Sequence, residues 1–372
     1  MKFQRYGAVA GVAVAAALAL SACGSDNNGG STTSTTSAAG GSTGSAASCP
    51  SGTLNAAGST AQANALSQFI KDYQGKCPGV TVNYNADGSG AGVTAFIQKQ
   101  ADFAGSDFAL NSTQAAQVKS SGRCGSGEGV DIPAVGGAIS VIYNVPGVTT
   151  SLNLSAKNLA GIFNGTITTW NDPAIAADNK GVTLPSTKIQ PFYRSDASGT
   201  SYNFSNYLNN LGGFAAANKQ WPGKAGQGAK GSSGVAAKVK STVGGIGYAE
   251  ISYATQNNLT YAKVSNAAGA FVPLTQANAS AFIAQAKIEQ SGEDTKAVFN
   301  YQYSSPTAYP AVLVTYEIAC GTGNDSTALP LIKGFLSYVV SNTAQGELTG
   351  LGYVPLPASV QSADAAVINS LS

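Results

Sequence analysis

Histidine is absent from all 372 residues, and charged side chains make up only 10% of them. The first absence removes the usual general base of hydrolases and the commonest zinc ligand. The five cysteines contain no C-x-x-C pair, so a structural zinc site lacks both of its familiar ligand patterns. No cluster of metal-ligating carboxylates is visible, and neither a metal nor a cofactor is expected. No self-similarity recurs at a period of about 20 to 50 residues, which argues against a solenoid. Long apolar runs are also missing: AVAGVAVAAALAL, from Ala8 to Leu20, is too short for a stable membrane span.

That run follows Lys2 and Arg5 and leads into Leu20-Ser21-Ala22-Cys23, the order of a secretion signal. A small residue before a cysteine at this place resembles the lipobox of bacterial lipoproteins, which implies cleavage after residue 22 and a lipid on Cys23. The remaining 350 residues hold every acidic side chain but neither Lys2 nor Arg5, so the net charge falls from +2 to zero. A neutral chain is not steered by a broad basic field, and no nucleic-acid partner is expected. Residues 23–48 carry one further absence, with no aromatic and no large aliphatic side chain. Such a segment cannot offset its ordering entropy by burial, and it reads as a flexible tether between lipid and folded body.

Beyond the tether, Cys49, Cys77, Cys124 and Cys320 form an even set in an exported chain, which favours two disulfides. Cys49 and Cys77 each stand just before an extended apolar segment, TLNAAG and VTVNYN. If those are neighbouring parallel strands, their starts adjoin and Cys49 pairs with Cys77, leaving Cys124 for Cys320. The spacing alone leaves the connectivity open.

From residue 49 onward, strand-like runs alternate with helical patterns. TLNAAG precedes the stripe Leu66, Phe69, Ile70, Tyr73; VTVNYN precedes Val93, Phe96, Ile97; DFAGSD precedes the segment Thr113 to Val118. Repeated strand and helix predicts an α/β fold with mixed, mostly parallel sheets flanked by helices. AISVIYNV, Ala138 to Val145, is a strongly apolar strand and marks the first crossing between two lobes. IQPFYR and GGIGYAEI are strands of the middle region, while AVLVTYEIA and the helix LPLIKGFLSYVV return the chain to its first half. The expected division is residues 49–137 with 306–372 in lobe I and residues 138–305 in lobe II.

Three segments set Ser, Thr and Gly between a strand and an amphipathic helix: GSTAQAN, DGSGAGV and DASGTSYN. The first turn of a helix has unpaired N–H groups and the positive end of the dipole, so each is a candidate anion cradle. The simple alternative is ordinary capping. Arg194 stands at a strand end beside the third segment and supplies a fixed fork of donors suited to a tetrahedral oxyanion, with Asp196 placed to hold it. A fourth segment, DFAGSDFAL, adds Asp107, an odd choice for an anion site. It makes sense if the ligand carries a hydrogen, because Asp107 then accepts it, whereas a fully ionised oxyanion sets two acceptors face to face. Phosphate keeps a proton near neutral pH and sulfate does not.

Taken together, GSTAQAN, YNADGSGAGV, DFAGSD, IFNGTITTWNDPAI, YRSDASGTSYNFSNYL and GGIGYAEISYA resemble the phosphate-binding proteins of the bacterial phosphate-specific (Pst) ABC transport system. The resemblance spans nearly the whole chain after the tether. It implies a two-lobed periplasmic-binding-protein fold of type II, closing on one dehydrated phosphate. By motif it assigns ligand roles to Thr60, the Ala61 backbone N–H, Ser89, Asp107, Arg194, Ser198, Gly199 and Thr200, with Ser59 and Asp196 in support. One departure stands out: Ala61 and Gln62 follow the threonine where a bulky aromatic and a proline are common. The resemblance also implies a monomer on the outer face of the cell membrane, delivering phosphate to the transmembrane subunits of an ABC permease. An extracytoplasmic phosphatase or hydrolase, and a lipid-anchored adhesin that keeps the fold, are the alternatives. Ser198 has no evident activating partner for the first.

Overall fold

The structure is a computed structural model that describes residues 49–291 and 294–372; the signal segment 1–22, Cys23 and the tether 23–48 lie outside the described residues. Nine strands form the main sheet: β1 (Gly52–Gly58), β2 (Val80–Asn85), β3 (Phe103–Ser106), β4 (Gly129–Asn144), β5 (Gln190–Arg194), β6 (Gln227–Ala229), β7 (Gly245–Glu250), β8 (Thr260–Tyr261) and β9 (Val312–Cys320). Their order is β2-β1-β3-β9-β4-β7-β5-β6, with β8 also paired to β4.

The flanks of this sheet are parallel and its centre is antiparallel. At one side β1 runs parallel to β2 and β3, and at the other β5 runs parallel to β6 and β7. Between them β9 is antiparallel to both β3 and β4, and β4 to β7. Strand-helix alternation predicts the flanks well, because each crossover helix returns the chain in the same direction. It does not reveal the central joints, which are made by strands far apart in sequence.

β4 is the longest element of the sheet. The apolar pattern predicts a strand from Ala138, but the strand begins nine residues earlier, at Gly129, and is buried along nearly all its length. Pro133 disguises this stretch in the sequence. It is accommodated because the β4–β9 register shifts there, with Thr315 opposite Val135 and Tyr316 opposite Pro133, so Ala134 is the extra residue of a bulge. From Gly129 to Ala138 the strand pairs with β9; from Ile139 to Asn144 it pairs with β7. One continuous strand thus belongs to both halves of the sheet.

Two large apolar clusters flank it. Leu66, Phe69, Phe103 and Phe335 lie in one; Phe163, Trp170, Phe204 and Tyr248 lie in the other. Trp170 is fully buried and donates its indole N–H to the Gly244 carbonyl at 3.1 Å, so IFNGTITTWNDPAI is core packing followed by a helix over Pro173–Asp178. The small elements were less visible in the sequence, among them the hairpin Lys287–Ser291 with Asp294–Val298, whose first strand is exposed throughout. Among the described residues no helix is long and apolar enough to cross a membrane.

Disulfides join Cys49 to Cys77 and Cys124 to Cys320, closing separations of 28 and 196 residues. The first ties the approaches to β1 and β2; the second ties the end of β9 to the segment before β4. Loop-closure entropy gives about 3.5 kcal/mol for the short loop and about 5 kcal/mol for the long one. Replacing Cys124 and Cys320 by alanine is expected to lower the unfolding free energy more than replacing Cys49 and Cys77, measured by chemical denaturation. An equal or reversed order would show that chain entropy does not govern these bridges.

Candidate functional site

Four loops that follow strands converge on one buried space, and each brings small or charged side chains for a local reason. Gly58 ends β1 and delivers Ser59, Thr60 and Ala61 before the helix Ala63–Lys76, whose N-cap is Gln62. Gly88 follows β2 with φ +104, a conformation that favours glycine, and a Cβ there would lie 2.3 Å from the Asp196 carboxylate. It starts the helix Ser89–Ile97. Asp107 follows β3 directly. Arg194 ends β5, and Ser198 caps the helix Gly199–Gly212 by accepting the Ser201 N–H at 3.2 Å. That helix buries Phe204, Tyr207 and Leu208, which fall on one face, with Leu211 only half-buried.

Arg194 is 2% exposed. Its Nε donates to Asp196 Oδ1 at 2.9 Å and one Nη to Asp196 Oδ2, a two-pronged pair. The other Nη donates to Ser232 Oγ at 3.1 Å and Thr200 Oγ1 at 3.4 Å. Burial alone would lower the arginine's pKa, but Asp196 more than offsets this and the net direction is upward. Burial likewise raises Asp196, and Arg194 reverses it, so the carboxyl is held below its ordinary value. The Gly231 N–H adds a 3.0 Å bond to the same carboxylate. Asp196 therefore fixes the guanidinium and does not merely decorate it.

Asp107 is buried among hydroxyls. Ser59 donates to its Oδ1, Thr315 donates to the same oxygen at 2.8 Å, and Ser89 donates to Oδ2 at 3.2 Å. Desolvation, with the charge of Glu250 added, pushes Asp107 up to about 6, against the pull of Ser59, Thr315 and Arg194. Ser89 Oγ also accepts the N–H groups of Asp107 and Gly199, each at 3.2 Å. Gly199 lies so close to Asp107 that a Cβ would sit 2.5 Å from the aspartate Cβ. Thr60 reaches the Arg194 side through Ser232, which it meets at 3.1 Å.

Thr60, Ser89, Asp107, Arg194, Gly199 and Thr200 thus fall into one buried neighbourhood, with Ser59 and Asp196 as its supports. The Ala61 N–H is nearby but donates to Ser59 Oγ at 2.9 Å, and Ser198 serves as the helix cap. Sequence reasoning missed Ser232, Thr315 and Glu250. Ser232 was findable: Gly231-Ser232-Ser233 opens the helix Gly231–Ser241 and repeats the strand, glycine, serine, helix pattern. Thr315 lies inside an apolar strand and Glu250 ends one, and neither gives such a signal. The arrangement offers donors from backbone, hydroxyl and guanidinium groups against buried carboxylates, the chemistry of selective anion recognition. Among the described residues no cluster of side chains could hold a metal ion.

The comparisons with known proteins agree with this chemistry. A family model described as a PBP superfamily domain matches residues 33–343. The chain is 42% identical over 386 residues to the phosphate-binding protein PstS 2 of Mycobacterium tuberculosis, covering 100% of both. It is also 42% identical over 382 residues to the phosphate-binding protein PstS3 of Mycobacterium bovis, again covering 100% of both. Its fold is similar to that of a high affinity periplasmic phosphate-binding protein, PfluDING, solved with phosphate bound: the TM-score is 0.69 at 23% identity, over 85% of this chain and 93% of that one.

The raised Asp107 pKa has a stability consequence. Because the folded value, about 6, exceeds the reference value of 3.8, the native state binds the proton more tightly than the unfolded state. Stability contributed by protonated Asp107 is present at low pH and is lost as pH rises from about 4 to about 6, by about 3 kcal/mol. In ligand-free protein, Asp107→Asn should remove that loss, so its stability relative to wild type climbs across this window in denaturation curves. Buried acids that do not face Asp107 titrate alike in both proteins and cancel. Parallel pH profiles would contradict the assignment.

Proposed function

The chain belongs to the PBP superfamily and, within it, to the PstS phosphate-binding proteins with their two-lobed α/β fold, and on that premise we propose how it works as the extracytoplasmic phosphate receptor of an ABC importer. Inorganic phosphate is held between the walls that carry Thr60, Ser89 and Asp107 on one side and Arg194, Ser198, Gly199 and Thr200 on the other. Residues 49–137 with 306–372 act as lobe I and residues 138–305 as lobe II, hinged where β4 changes partner. The Ala61 N–H turns from Ser59 to the ligand when phosphate enters. Cys23 carries the lipid, and residues 23–48 give the body its reach from the membrane to the permease subunits.

The observation that carries this reading is the meeting of a braced arginine and a hydroxyl-ringed aspartate in one dry space. Arg194 supplies charge to a tetrahedral anion, and Asp107 accepts its hydrogen. Contacts from both walls favour the closed form, so ligand binding drives closure. A closed, loaded body is what a permease has to recognise. The same groups suit binding rather than hydrolysis, because no histidine exists to activate a nucleophile.

Calorimetric titration of phosphate-stripped protein with phosphate, arsenate and sulfate tests the reading: phosphate and arsenate are expected to compete, and sulfate to bind far more weakly. Arg194→Ala should abolish tight binding, while Asp107→Asn should weaken phosphate relative to sulfate. No heat with phosphate, unchanged affinity in the arginine variant, or steady site-dependent turnover of a phosphomonoester would refute the proposal.

A further inference from the structure

Glu250 ends β7, is 1% exposed, and was invisible as a functional group in the sequence. Its Oε1 accepts the Thr200 hydroxyl at 2.7 Å, and its buried Oε2 has no hydrogen-bond partner among the described residues. Thr200 has a single hydroxyl hydrogen. With that hydrogen given to Glu250, and one lone pair receiving the Arg194 N–H at 3.4 Å, the threonine oxygen has only a lone pair left to offer. A side chain that would ordinarily count as a donor to an oxyanion is turned into an acceptor.

Charge acts in the same direction. The groups that face Glu250 electrostatically are Arg194 from β5, Asp107 from the loop after β3, Tyr253 from its own following helix, and Tyr353 from the C-terminal region. Arg194 is the only cation in that set, and Asp196 already engages it on two nitrogens. Asp107 and Glu250 therefore present two carboxyl groups to the space around one guanidinium whose charge Asp196 already shares. Such a wall tolerates a hydrogen-bearing anion better than a bare one.

We propose that Glu250 is a specificity-determining positioning residue, which holds the Thr200 hydroxyl hydrogen and so makes Thr200 a second acceptor, beside Asp107, for hydrogen carried by the ligand. This rests on the phosphate reading and deepens it. A protonated tetrahedral anion can meet either acceptor with a hydrogen, whereas sulfate meets lone pairs at both points and leaves buried groups unpaired.

Phosphate and sulfate affinities of wild type, Glu250→Gln and Thr200→Val, measured at one pH by competition titration on protein of verified fold, test the proposal. Glutamine can give an amide N–H to the Thr200 oxygen and release the hydroxyl hydrogen toward the ligand; valine deletes the oxygen. Both are expected to narrow the preference for phosphate over sulfate by about tenfold or more, the worth of one hydrogen bond to a charged group. Thr200→Val should lose phosphate affinity and keep sulfate affinity. Equal losses for both anions would mean that Thr200 is a donor, and would overturn the proposal, as would an unchanged ratio in a folded Glu250→Gln protein. Should the glutamine variant not fold, Thr200→Val decides alone. Wild type that binds no phosphate would instead refute the underlying reading as well, so the two failures are distinguishable.

Discussion

The paired bond between Arg194 and Asp196 is the constraint on which the site depends. A lone guanidinium in a space this dry would carry a large desolvation cost, and burial does pull its pKa downward. Asp196 reverses that pull, at the cost of spending two of the donor nitrogens. What remains of the guanidinium points at Ser232 and Thr200, so the direction of its free face is dictated by its partner. Gly88 must be a glycine for the same reason, since the Asp196 carboxylate occupies the volume where a side chain would start. A residue in one segment is thereby selected by an ion pair in another.

Around this pair the hydroxyl groups satisfy each other. Ser89 donates to Asp107 and accepts two backbone N–H groups, one from each wall; Ser59 and Thr315 complete the Asp107 carboxylate; Thr60 and Ser232 meet across the interface. Each of these is a group that would be costly to bury alone. The network explains why so many small hydroxyl residues crowd the strand ends of a chain otherwise poor in charge. It also explains how an aspartate is kept in so crowded and dry a setting, because hydroxyls can turn their hydrogens toward it.

Much of this was legible in the sequence. Arg194 and Asp196 were visible because a charged pair is conspicuous against so few charges, and its place between an apolar strand and a helical stripe fixed its setting. Asp107 was visible as a carboxylate among glycine, alanine and serine. The Cys49–Cys77 bridge followed from two adjoining strand starts, while the long Cys124–Cys320 closure followed only by remainder. Glu250 and Thr315 were not legible: both sit in runs whose apolar pattern reports burial, and a buried polar side chain among them gives no hint of what it faces. Ser232 could have been found from its glycine-serine helix start, though the strand before it, β6, is three residues long and hardly registers in the sequence. The joints at the antiparallel centre of the sheet escaped for a related reason, since β9 meets β3 and β4 from 174 to 214 residues away and no local pattern encodes that distance.

β4 gives the architecture a mechanical character. It pairs with β9 from Gly129 to Ala138, apart from the Ala134 bulge, and with β7 from Ile139 to Asn144, so no gap in pairing opens where its partner changes. Sliding such a ladder would break its rungs together, whereas twist is native to a sheet. In the closure proposed above, movement of the walls would be steered into rotation about a fixed axis, and each return sweep would restore the same side chains to the same opposition. Precision in the cleft is thus inherited from a spring that cannot slip.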